Sequence, residues 1–139
     1  MNLAEALIPL LRERFPQMKL RTGSSPDPCA VFPAIHPEVG DIAILDDGNE
    51  LTIYAGNFTH GHFDCDDPQT PEPERTERTV GAVMAFLDEL FADRIVLWGS
   101  HRGCGGWFAR EETAETLEEL REWTDGEAPK LYTWSGPLG

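Results

Sequence analysis

Apolar residues recur along this chain with two different periods. Leu3, Leu7, Leu10 and Leu11 share one face of a helix, and Val80, Val83, Met84, Leu87, Leu90 and Phe91 repeat at three- and four-residue intervals. The first pattern predicts a helix that begins at Asn2, which stands at N-cap spacing from Glu5, and runs to Phe15 before Pro16 stops it. Pro9 lies inside it and is expected to kink it, because proline removes a backbone donor and crowds the preceding turn. The second pattern predicts the main core helix, from Arg75 to Phe91. A third helix is expected over Thr113 to Trp123, with Ala114, Leu117 and Leu120 facing inward and Gly126 ending it.

Between these helices the period shortens to two. DIAILDDGNELTIYAGN reads as two β-rich runs around the turn Asp46, Asp47, Gly48, Asn49, which can supply the positive φ that a tight hairpin needs. Phe58 to Phe63 adds a third strand or a closing turn. Shorter strands are expected at Met18 to Arg21 and at Val31 to Ile35, the latter interrupted at Pro33. Ile95 to Trp98 reads as a buried strand whose hairpin mate, across the glycine-rich turn Gly99 to Gly106, is Trp107 to Ala109; Leu131 to Trp134 reads as a terminal strand. The sum is a single α+β domain over residues 1–139, an antiparallel or mixed sheet covered by about three helices. At this length a core forms without disulfides or metals.

Charge adds the most distinctive feature. From Thr22 through Glu74 there is no lysine or arginine, yet there are eleven carboxylates, and the whole chain carries a formal net charge of -14. Such a field is adverse to nucleic acid and to anionic membranes, and it favours a basic protein partner. The candidate contacts are Asp46, Asp47 and Glu50 at the hairpin tip, Asp64, Asp66 and Asp67 in the next loop, and Glu111, Glu112, Glu115, Glu118 and Glu119 on the last helix. Aromatic anchors are expected to matter as well; the four tryptophans, Trp98, Trp107, Trp123 and Trp134, could form a gripping stripe but read first as core and rim packing. The alternative is that the acidity only keeps a housekeeping domain in solution. Cys29, Cys65 and Cys104 form no CxxC pair and read as thiols kept reduced in a cytoplasm. The first residues lack a basic n-region and a cleavage site, and no apolar run is long enough to span a bilayer, so a cytoplasmic protein is expected.

Two segments invite chemistry. Thr59 to Cys65, THGHFDC, resembles the THxHxDH metal-binding signature of the metallo-β-lactamase superfamily, which implies a metal-dependent hydrolase using His60, His62, Asp64 and His101. Cys65 replaces that signature's last histidine, and the alternative is that His60 and His62 share one strand face and bond to neighbours or solvent. Gly99 to Gly106 holds Ser100, His101 and Cys104 but neither a phosphate-loop lysine nor a GxSxG elbow, so it reads as a hairpin turn.

The text HPEVGDIAILDDGNELTIYAGNFTHGHF, followed by LFADRIVLW and GGW, resembles a group of small bacterial proteins. That resemblance implies a cytosolic α+β domain and carries over no catalytic residue. In composition the chain is similar to bacterial toxin-immunity proteins, including those of contact-dependent inhibition systems. This implies a module that binds and blocks a basic nuclease toxin, with no catalytic group and no cofactor.

Overall fold

Asn2 opens the first helix as its spacing predicts: its side-chain oxygen accepts from the Glu5 backbone N–H at 2.8 Å. This computed structural model describes residues 2–65, 67, 69–99, 105–123 and 129–138, with Trp123 by its backbone only. Helix α1 spans Leu3–Arg14, with Pro9 inside it, and buries Leu3, Leu7 and Leu11. Leu10, counted on the same face in the sequence, is exposed.

Five strands follow before the next helix: β1 (Arg21–Thr22), β2 (Ala30–Phe32), β3 (Ile42–Asp46), β4 (Leu51–Ala55) and β5 (Thr59–Phe63). They form one antiparallel sheet in chain order. The two early strands are shorter than their sequence suggests. β2 stops before Pro33, which has no N–H for a ladder, and β1 covers only Arg21 and Thr22. The hairpin of β3 and β4 pairs Asp46 with Leu51, and the Asp47 N–H donates to the Glu50 carbonyl at 3.0 Å. Gly48 takes φ 92 there, in the left-handed region that glycine enters without strain. The segment expected to be a strand or a closing turn is both: Phe58 lies in the turn, and Thr59 to Phe63 is a strand that pairs Tyr54 with His60 and Thr52 with His62.

Helix α2 (Glu74–Phe91) carries Val80, Val83, Leu87 and Leu90 into the core. Next come β6 (Ile95–Gly99), β7 (Gly105–Ala109), a 3-10 turn at Arg110–Glu112, helix α3 (Thr113–Trp123), β8 (Lys130–Thr133) and β9 (Gly136–Pro137). These strands make a second antiparallel sheet in the order β7-β6-β8-β9. The protein is thus a single α+β domain with two separate sheets.

The main core lies between the inner face of the first sheet (Phe32, Ile42, Ile44, Ile53), α1, α2, and Leu97 with Tyr132 from the second sheet. A smaller core of Val96, Trp98, Phe108 and Leu120 fixes α3 against the other face of the second sheet. On α3 Leu120 is buried, Leu117 is half-buried and Ala114 is exposed. The sheets meet where Trp107 of β7 lies across Gly61 of β5. A Cβ on Gly61 would stand 2.1 Å from the Trp107 ring, which packs in a three-ring cluster with Phe63 and Phe86. Two of the motifs in the sequence, THGHF and GGW, are therefore the two sides of one inter-sheet contact. Among the described residues no helix is long and apolar enough to cross a membrane.

Candidate functional site

Helices α1 and α2 run side by side in the same direction. Asn2 and Leu3 lie beside Pro73 and Thr76 at one end, and at the other Arg14 pairs with Asp88 at 2.7 Å while Phe15 meets Phe91 at 5.1 Å. Both N-termini consequently reach the β3–β4 hairpin tip, where Gly48 and Asn49 line the same hollow as Asn2, Pro73 and Thr76. Helix N-termini carry partial positive charge, which offsets part of the repulsion among carboxylates gathered near them. The local chain order thus builds an acidic pole.

The carboxylates at this pole do different jobs. Asp46 is turned inward, and its Oδ2 accepts from the Ala4 N–H of α1 at 3.0 Å while its Oδ1 accepts from the Gly48 N–H at 2.9 Å. It holds the hairpin to the helix. Asp47 is exposed and accepts a hydrogen bond from the Thr52 hydroxyl. Glu50 is half-buried, with Oε2 3.0 Å from His62 Nδ1. Asp64 and Asp67 are exposed in the loop after β5, where Asp67 Oδ1 accepts from the Gln69 N–H at 2.9 Å. Among the described residues no lysine or arginine forms an ion pair with any of these five. Asp66 lies outside the described residues.

Beside the tip, a cleft of about 940 Å³ opens between α1, the loop from Thr22 to Asp27 and the hairpin. Glu5, Asp27, Asp46 and Asp47 line it together with Ile8, Pro9 and Cys29, and among the described residues no lysine or arginine does. Burial pushes the Cys29 thiol up to about 11, and the nearby Asp46 charge adds to the effect, so the sulfur stays protonated at neutral pH.

On the outer face of the first sheet the strand register sets Tyr54 beside His60 and Thr52 beside His62. Tyr54 and His60 stack at 5.4 Å, and His60 meets His62 edge-on at 5.2 Å. Both imidazoles are exposed on one face, as their spacing implies. Among the described residues, the group whose ligand atoms converge is Asp47, Glu50 and His62, within 4.8 Å of one another; His60 and Asp64 are outside it. His101 and Cys104 fall outside the described residues.

Glu111, Glu112, Glu115, Glu118 and Glu119 are all exposed. They sit in the 3-10 turn and on α3, which packs on the side of the second sheet away from the main core. The candidate contacts therefore divide into the hairpin pole and the α3 surface.

No protein-family model, no curated protein and no solved structure matches the chain.

Proposed function

We propose that the protein is a binding module that blocks a basic partner protein, in the manner of bacterial immunity proteins that neutralise nuclease toxins. One observation carries this reading: among the described residues, exposed Asp47, Asp64 and Asp67 have no lysine or arginine partner, and the cleft beside the hairpin tip is lined by four carboxylates and by no lysine or arginine. A surface that binds polyanionic nucleic acid is rich in lysine and arginine. Such a surface would be steered toward this pole at a rate that falls with ionic strength. Tyr54, 44% exposed and braced by His60, offers an aromatic anchor on the adjoining sheet face. Covering a partner's cleft requires no bond to be made or broken, so the reading assigns no catalytic residue. It places the protein in the cytoplasm, where an incoming nuclease would act.

The test is affinity capture from native lysate at low salt, elution in a salt gradient, and assay of the eluted protein's nuclease activity with and without this chain added back. The reading expects a stoichiometric basic nuclease that is inhibited on re-addition. A captured partner that is neutral or acidic, or whose activity is untouched, overturns it.

A further inference from the structure

The convergence of Asp47, Glu50 and His62 has a chemistry that charge steering does not use. We propose that these three side chains form a binding site for one divalent transition-metal ion, with zinc as its representative, at the junction of the β3–β4 tip and edge strand β5.

Donors held 2.0–2.2 Å from a common ion stand about 3.0–3.5 Å apart at right to tetrahedral angles. His62 Nδ1 and Glu50 Oε2 are 3.0 Å apart, and the Asp47 carboxylate falls within the same 4.8 Å group. The Thr52 hydroxyl adds an oxygen, 3.2 Å from His62 Nδ1 and in contact with Asp47; its side chain belongs to a residue only 3% exposed and aims into the cluster. The backbone fixes this arrangement before any ion arrives. Strand pairing sets Thr52 opposite His62, and the Asp47 N–H to Glu50 carbonyl bond closes the turn that carries both carboxylates.

An all-oxygen patch would suit magnesium or calcium. The imidazole nitrogen shifts the preference toward zinc and its neighbours, and the exposure of Asp47 and His62 leaves the remaining coordination positions to water. The proposal is independent of whether the pole binds a protein.

Tag-free protein titrated calorimetrically with Zn²⁺, and separately with Mg²⁺, tests it. The expected result is one Zn²⁺ per chain, weakened at least about tenfold by His62→Ala and by Glu50→Gln, and unchanged by His60→Ala. In the unaltered protein, Zn²⁺ should perturb the His62 imidazole NMR signals in the pattern of Nδ1 ligation, a readout that no folding defect can mimic. Absence of saturable binding overturns the proposal. So does Mg²⁺ binding of equal strength that survives His62→Ala, which would reveal an acidic patch only, and so does an equal loss in His60→Ala, which would assign the ion to the two histidines of β5.

Discussion

The carboxylate of Asp46 accepts a hydrogen bond from the backbone N–H of Ala4, 42 residues earlier, at 3.0 Å. Asp46 acts as a tertiary cap: α1 has Asn2 as its local N-cap, and the hairpin supplies a second acceptor for one of the free N–H groups of the first turn. Asp46→Ala removes that acceptor and the Gly48 bond together. Stability should fall by about 1–3 kcal/mol, with Asp46→Asn intermediate because one oxygen still accepts. Urea unfolding followed by circular dichroism measures this, and an unchanged midpoint for Asp46→Ala would show that the bond contributes nothing.

Gly61→Ala tests the joint between the sheets. A methyl group there would meet the Trp107 ring at 2.1 Å, and that rigid ring packs against both Phe63 and Phe86. Relief requires the sheets to separate or the indole to leave its place. The expected loss is at least about 2 kcal/mol, with a change in tryptophan emission as the ring becomes exposed. A stable variant with native emission would mean that the contact is pliable.

The alternation in THGHF is legible from the sequence: with a period of two, His60 and His62 must share a face and Gly61 the opposite one. What Gly61 packs against is not legible, since Trp107 comes from a distant strand and no local period reports that approach. For the same reason the division into two sheets was hidden, whereas the hairpin was plain because its turn residues and its alternating strands agree. The His62 cluster lay within reach of the sequence. Pairing Ala55 with Thr59 across the turn sets Thr52 opposite His62, next to the acidic tip; a motif-based reading instead grouped His62 with its neighbours along the strand. The dual role of the acidic run was also masked. Asp41 and Asp46 both accept from distant or turn N–H groups, which composition counts only as charge.

Cys29 should leave a signature in the alkaline stability profile. Its folded pKa is raised from an ordinary 9.0 to about 11, first by burial and second by the Asp46 charge. The folded state thus holds the thiol proton more tightly than the unfolded state does. The sign follows: the contribution is fully present below pH 9, and it declines as pH rises toward 11, because the unfolded chain gains a thiolate first. Over that window the wild type should lose up to about 3 kcal/mol relative to Cys29→Ala, whose stability lacks this slope. Parallel slopes for the two proteins between pH 8 and 11 would refute the assignment.

The two carboxylate surfaces can be separated by charge neutralisation. Asp47→Asn, Asp64→Asn and Asp67→Asn act at the hairpin pole, and Glu111→Gln, Glu115→Gln and Glu118→Gln act on the α3 side; each set removes three charges from exposed positions. The net charge therefore changes equally, and long-range steering by total charge alone would slow association equally. If the pole is the docking surface, its variant should associate about tenfold more slowly with the basic partner at low salt and show a flatter salt dependence, while the α3 variant stays within about twofold of wild type. Stopped-flow association at several ionic strengths distinguishes the cases. A larger effect from the α3 set would move the interface to the far side of the second sheet and leave the hairpin pole to its metal chemistry.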